Sequence, residues 1–302
     1  MSLINIIVPT YNNEMTIEKT IASLQNSGLK DFSLIIINDG SSDRTDEICL
    51  GIVSEYDNVK YVSQENKGVA AARNKGIDIA DGDYVIFFDA DDSVDIGSFT
   101  HAEAIISKEY PDMLIYGMCF DFYHNGVAFR TEKKVYPLEV CYTHDQIKEH
   151  FYELYESNAL TSSCNKIIKR SILEHNDVHY VEGMFLMEDF LFSLDCITHC
   201  KNVYMLPESI YRYHQAEDEG NVYRRIKRIN NLTEFVQPFR DRLEGQPQVF
   251  SAVYYMLLNQ KLWMSNIKEI EEIAGHHIEG EIVAFEESDK KIDKELRSER
   301  YQ

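Results

Sequence analysis

Three carboxylates, Asp89, Asp91 and Asp92, follow directly on the apolar run Val85-Ile86-Phe87-Phe88. On an extended backbone, side chains at i and i+2 share a side, so Asp89 and Asp91 can converge while the residue between them points away. Two converging hard oxygen anions suit Mg²⁺ or Mn²⁺. The residues before them say where they sit. An unbroken run of Val, Ile and Phe asks to be covered on both faces, as in a parallel sheet. A buried, unpaired charge costs far more than one apolar residue supplies. The acids therefore belong in an open crevice at the strand's carboxyl end, where open α/β sheets bind ligands. Spacing alone leaves a second reading, a solvated acidic turn that caps the next helix.

The elements that carry these acids follow from periodicity. Leu3 to Val8 reads as a buried strand broken by Pro9-Thr10-Tyr11-Asn12-Asn13. Ile17, Ile21 and Leu24 then recur at helical spacing, with Asn12 or Asn13 as cap and Gly28 as stop. Strands over 32–37 and 59–63 and helices over 45–55 and 68–79 complete an alternating series that ends in the acidic strand. Such a series implies parallel pairing with right-handed crossovers. A dinucleotide fold would place Gly-x-Gly-x-x-Gly after the first strand. Pro-Thr-Tyr-Asn stands there instead, which disfavours hydride transfer.

Beyond residue 110 the pattern loosens. A strand is expected at 112–119, a hairpin over 120–136 turning at Asn125-Gly126, and a helix at 145–155. A strand at 162–169 enters a helix at 170–176, a further helix starts at Glu188-Asp189, and short strands lie at 203–205 and 210–213. From about residue 221 only helical spacing recurs, over 224–243, 248–273 and a highly charged last stretch. Two domains are expected, 1–217 and a helical region 218–302 for oligomer or acceptor contacts.

Composition narrows the function classes. Hydrophobic residues make up 44% of the 302, enough for a packed core. A formal net charge of −21 argues against a nucleic-acid binder and against broad docking on anionic lipid. Arg224, Arg225, Lys227 and Arg228 form a local exception, either a contact for a pyrophosphate or lipid head group or a solvated helix face. The six cysteines form no CxxC pair, which speaks against structural zinc. No apolar run approaches the ~20 residues that cross a bilayer, and the start lacks the basic-then-apolar pattern of a leader. A cytoplasmic protein is expected, at most peripheral at the inner membrane face.

Six short motifs occur in order: Val-Pro-Thr-Tyr-Asn at 8–12, Asn-Asp-Gly-Ser-Ser-Asp at 38–43, Asn-Lys-Gly-Val-Ala-Ala-Ala-Arg-Asn at 66–74, Asp-Ala-Asp-Asp at 89–92, Asn-Lys at 165–166 and Met-Glu-Asp at 187–189. Through them, residues 3–215 resemble the family 2 inverting glycosyltransferases of the GT-A fold, most of all bacterial members that build surface polysaccharides or protein-linked glycans. The resemblance implies a Rossmann-like mixed α/β sheet with a parallel N-terminal half. It implies a nucleotide-sugar donor, a UDP-hexose, and a glycan acceptor on a lipid carrier or a protein.

Residue by residue, the resemblance puts Thr10 and Tyr11 at the nucleotide base, with Tyr11 free to stack on it. Asp39 matches the carboxylate that accepts the uracil imide N–H, and Arg73 the arginine that reaches the base or diphosphate. Asp89 and Asp91 match the ribose and metal ligands, with Mn²⁺ or Mg²⁺ bridging the phosphates and Asp92 a third carboxylate of open role. Asp189 matches the general base, with Glu188 its neighbour if the register shifts by one. Lys166 either orients the acceptor, holds a carboxylate or is a plain surface lysine. His214 is either a late metal or phosphate ligand or a satisfied histidine. Two other readings stay open. One is a catalytically inactive nucleotide-sugar-binding or scaffold subunit, with self-association through the C-terminal helices. The other is a nucleotidyltransferase, for which no Gly-rich phosphate loop is found near strand one.

Overall fold

A computed structural model describes residues 2–124 and 127–215, and towards the C-terminus 232–244, 246, 249 and 253. The chain divides into two compact units, Met1–Glu217 and Asp218–Gln302. In the first, β1 (Ile4–Thr10), α1 (Ile17–Gln25), β2 (Phe32–Asn38), α2 (Thr45–Glu55), β3 (Val59–Ser63), α3 (Val69–Ile79) and β4 (Tyr84–Phe87) alternate. Next come β5 (Ser93–Val94), α4 (Thr100–Glu109), β6 (Met113–His124), β7 (Val127–Lys134) and β8 (Val140–Thr143). The unit closes with α5 (His144–Glu149), α6 (Phe151–Glu156), β9 (Lys166–Lys169), α7 (Arg170–His175), α8 (Glu188–Thr198) and β10 (Asn202–Gln215).

One mixed sheet runs β3-β2-β1-β4-β9-β6-β10-β5, with β7 on β6 and β8 on β10. β1 to β4 are mutually parallel, and the strand order reverses between β1 and β4. This is the kind of switch point beside which α/β sheets open a crevice. All seven residues of β1 are buried, as expected for a parallel strand covered on both faces. Alternation then sorts the side chains. Ile4, Ile6, Val8, Ile36, Ile86 and Phe88 pack in one core with Ile17, Ile21 and Leu24 of α1. Ile7 and Phe87 face the other way. There Gly76 of α3 lies against Ile7, and Phe87 meets Tyr180 and Phe192 of α8 edge-on at 5.3 and 5.4 Å. α3 and α8 thus share one face of the sheet.

Several expected boundaries move. β1 continues through Pro9 to Thr10. Ile7 gives its carbonyl to Phe88, so Pro9, two residues on, faces the β4 side where pairing has already stopped, and its missing N–H leaves no ladder bond unmade. α1 starts after Thr16 with no side-chain cap and ends at Gln25, short of Gly28. The helix expected at 145–155 is two, broken at His150, whose ring stacks on Tyr142 at 4.7 Å. The two short strands expected at 203–213 are one, β10, whose register shifts between Leu206 and Ser209, around Pro207, and again before Tyr211. β9 is shorter than expected and enters antiparallel between β4 and β6. The hairpin of β6 and β7 forms, while its expected turn, Asn125-Gly126, lies outside the described residues.

In the second unit, α9 (Leu232–Arg242) carries Pro238 in its interior, and Val236, Phe239 and Leu243 are buried. The basic run at Arg224–Arg228 and the highly charged last stretch lie outside the described residues, and of the helix expected at 248–273 only Val249 and Val253, both buried, are described. No helix among the described residues is long and apolar enough to cross a membrane.

The close approach of α3 to β1 supplies a test. A Cβ on Gly76 would collide with Cγ2 of Ile7, a stiff β-branched side chain in a full core. Gly76→Ala should destabilise the protein by about 1–3 kcal/mol in urea unfolding. In an Ile7→Ala background, where the obstructing methyl is gone, most of that added cost should vanish.

Candidate active site

The carboxyl ends of β1, β2 and β4 assemble the site. At the first, Thr10 donates its hydroxyl to Asn13 Oδ1 at 3.0 Å, and the same oxygen takes the Tyr11 N–H at 2.9 Å. Asn12 sits in the left-handed region (φ 54°). Its Oδ1 accepts the Ser42 N–H at 2.8 Å, and its own N–H reaches Ser41 Oγ at 3.0 Å. The Asn13 N–H donates to Thr45 Oγ1 at 2.8 Å. The asparagines expected to cap α1 instead tie the β1 loop to the loop after β2. Tyr11 is left 50% exposed.

Asp39, just past β2, is buried and accepts three hydrogen bonds. They come from Gln64 Nε2 (2.8 Å), the Lys67 N–H (2.9 Å) and the Gly68 N–H (2.8 Å). Gly68 precedes α3 with φ 92°, so Asp39 caps that helix from another loop and lies at its positive end. A carboxylate has about four acceptor positions, so one on Oδ2 remains unfilled by the described residues.

α3 carries Arg73, which is buried to 3% exposure. Its Nη2 holds Asp89 Oδ1 at 2.8 Å and its Nη1 holds Asp189 Oδ1 at 2.6 Å. The guanidinium lies 5.1 Å over the Tyr180 ring. Burial alone would lower the Arg73 pKa; the Asp189 and then the Asp89 carboxylate outweigh it and hold the group charged. Its Nε is buried with no hydrogen-bond partner among the described residues. Asp189 stands in the first turn of α8, after Met187 in the left-handed region (φ 61°), and also accepts from Ser163 Oγ at 3.0 Å. Glu188 opens the same helix, half-buried. Asp89 Oδ2 faces the Cys164 thiol at 3.5 Å.

The three acids after β4 meet different fates, because the strand stops at Phe87 and the chain turns. Strand alternation therefore does not govern them. Thr20 of α1 fixes the turn by donating to the carbonyls of Ala90 (3.0 Å) and Asp92 (2.8 Å). Asp92 is buried, not in the open crevice, and accepts from the Tyr211 hydroxyl and from the His214 N–H at 2.8 Å. Burial, then the Asp89 charge, push its pKa up to about 8. Asp91 is exposed, and no side chain among the described residues engages its carboxylate. The protein mass beneath it, then the Asp89 charge, raise its pKa.

Such a pair suits a hard divalent cation, whose charge would relieve the Asp89–Asp91 repulsion. Among the described residues no three His, Cys, Asp or Glu side chains gather into a cage. His214 Nε2 pairs with Ser93 Oγ at 2.7 Å and its Nδ1 with the Tyr123 hydroxyl at 3.1 Å. Burial lowers its pKa, against an opposing pull from Asp121. Both ring nitrogens are thus engaged within the protein.

Lys166 is not a surface lysine. It is wholly buried, donating to the Ser162 carbonyl and, at 2.7 Å, to Asn165 Oδ1. Ser163, Cys164, Tyr180 and Tyr211 were not singled out in the sequence. Ser163 and Cys164 directly precede the Asn-Lys pair, and Tyr211 lies in Tyr-Arg-Tyr-His, which were the only local signals.

Comparison with known proteins shows a family. Residues 5–176 match the model of glycosyl transferase family 2. The chain belongs to this family. It is 31% identical over 257 residues to the uncharacterized glycosyltransferase EpsJ of Bacillus subtilis (strain 168), covering 83% of this chain and 70% of EpsJ. It is 27% identical to the minor teichoic acid biosynthesis protein GgaB of the same organism, covering 89% of this chain but only 30% of GgaB. Among solved structures, residues 1–349 of S. aureus TarS in complex with UDP superpose with a TM-score of 0.58 at 18% identity. That match covers 93% of this chain and 92% of the other, and it shows the GT-A fold of the family.

The buried lysine gives the family 2 site a measurable signature. Burial lowers the Lys166 pKa from 10.5 to about 7. Below pH 7 the folded protein bears the full penalty of the buried charge. Between pH 7 and 10.5 the unfolded chain binds the extra proton, so stability rises with pH across that window. Relative to Lys166→Met, wild type should gain stability between pH 7 and 10, by about 5 kcal/mol at most. Urea unfolding of both proteins at a series of pH values checks this; parallel curves would refute it.

Proposed function

We propose that this family 2 protein is an inverting glycosyltransferase that moves a hexose from a UDP-sugar to a glycan hydroxyl. The observation that carries the reading is Arg73 spanning Asp89 and Asp189: one guanidinium joins the acid after β4 to an acid from the far end of the unit. A single displacement needs a donor-holding group and a base around one anomeric carbon, and in this reading Asp89 and Asp189, both held by Arg73, take those two parts.

In the proposed reaction the acceptor oxygen attacks the anomeric carbon from the Asp189 side. The bond between that carbon and the diphosphate oxygen breaks, and its electron pair leaves with UDP. Asp189 takes the acceptor's hydroxyl proton. Tyr11 stacks on the base, Thr10 holds the loop beneath it, and the remaining acceptor position of Asp39 selects a base with an imide N–H. Arg73 keeps Asp189 oriented until an acceptor hydroxyl competes for it. Asp91, with Asp89, would hold a divalent cation, which when bound offsets charge on the leaving diphosphate. The glycan class follows by analogy with relatives such as GgaB. The C-terminal unit is proposed as the part that meets the acceptor or a second copy. A merely binding or scaffold role is less well supported, because Asp89, Asp91 and Asp189 are all present.

The test is nucleoside diphosphate release from a panel of UDP-, GDP- and dTDP-hexoses with Mn²⁺ or Mg²⁺. UDP-sugars should be turned over, with loss on chelation. Asp189→Asn should lower kcat by about 100-fold or more while retaining UDP binding. If no donor is bound or turned over, or if Asp189→Asn changes nothing, the reading is wrong.

A further inference from the structure

The segment Ser162–Lys166 reaches the two carboxylates that Arg73 also holds. Consecutive side chains divide between them. Ser163 Oγ donates to Asp189 Oδ1 at 3.0 Å, and the Cys164 thiol donates to Asp89 Oδ2 at 3.5 Å. Both residues are buried. We propose that Ser163 and Cys164 are paired positioning residues, Ser163 orienting the Asp189 base and Cys164 orienting Asp89 on the donor side. This rests on the catalytic reading above and assigns to a second element what Arg73 does from the first.

The segment is built to hold still. The Tyr116 hydroxyl donates to the Cys164 carbonyl at 2.7 Å, and the Tyr116 N–H donates to the Asn165 carbonyl at 3.1 Å. The Cys164 N–H donates to Ser162 Oγ at 3.1 Å. Lys166, the first residue of β9, reaches back to the Ser162 carbonyl and closes the loop on itself. Cys164 is buried, and its thiol offers Asp89 a donor rather than a second anion. A thiol is a weak donor, so its contribution is one of orientation more than of affinity.

The division predicts opposite kinetic signatures from neighbouring residues. Ser163→Ala frees the base and should lower kcat about tenfold, with donor KM and UDP affinity within about twofold of wild type. Cys164→Ala frees Asp89 and should raise donor KM and weaken UDP binding about three- to tenfold, with a smaller change in kcat. Cys164→Ser, which keeps a donor at the same place, should return both donor parameters towards wild type. Asp89→Asn and Asp189→Asn serve as benchmarks. If the benchmarks lose activity while Ser163→Ala and Cys164→Ala change the same parameter alike, or change none, the paired assignment is overturned and the catalytic reading stands. If the benchmarks keep full activity, the catalytic reading falls and takes the assignment with it. A Cys164→Ala protein that fails to fold leaves Cys164→Ser to decide. Wild-type donor KM in that variant supports the assignment, and a loss equal to that of Asp89→Asn overturns it.

Discussion

A guanidinium at 3% exposure must be neutralised where it stands, and Arg73 is neutralised by two carboxylates that the sequence keeps far apart. Removing one partner from a buried ion pair commonly costs about 3–5 kcal/mol, because the other charge is left without solvent or counterion. The requirement is strict enough to dictate the surrounding order. α3 must lie close on β1, which Gly76 permits, and α8 must start where its first turn points at the same guanidinium. Asp39 fixes the N-terminus of α3 and so the height at which Arg73 enters. Functional loops thereby inherit their geometry from the packing of two helices on one sheet face.

Much of that scaffold was legible from local pattern. α2 and β3 fall on the residues that periodicity and turn formers mark, since both signals act within a few residues. The parallel half of the sheet followed from alternation of strand and helix. What escaped was non-local. Nothing around Lys166 announces that β9 runs antiparallel between β4 and β6, because its partners lie in other parts of the chain. Nor does Pro207 advertise that β10 absorbs it in a register shift and continues. The candidate site divides the same way. Motif order pointed to Arg73, Asp89 and Asp189 one by one, but their meeting depends on α3 and α8 sharing a face. That is decided by which side chains of β1 and β4 turn towards them.

The acidic tetrapeptide shows why residue type alone could not assign roles. Asp89, Asp91 and Asp92 are the same side chain within four positions, and their neighbours make them three different groups. Asp89 meets a permanent cation, Asp91 meets solvent, and Asp92 meets a tyrosine hydroxyl and a backbone amide inside the core. Burial, then the Asp89 charge, push the Asp92 pKa up to about 8. Its two hydrogen bonds make it a strut between the β4 turn and β10, not a free ligand. The negative charge open to a ligand narrows to Asp89 and Asp91, and Arg73 already offsets part of the first. The local field at the strand end is therefore far milder than the −21 of the whole chain suggests. In the proposed reaction, a divalent cation held there would offset both charges and let an acidic protein receive an anionic donor at this point.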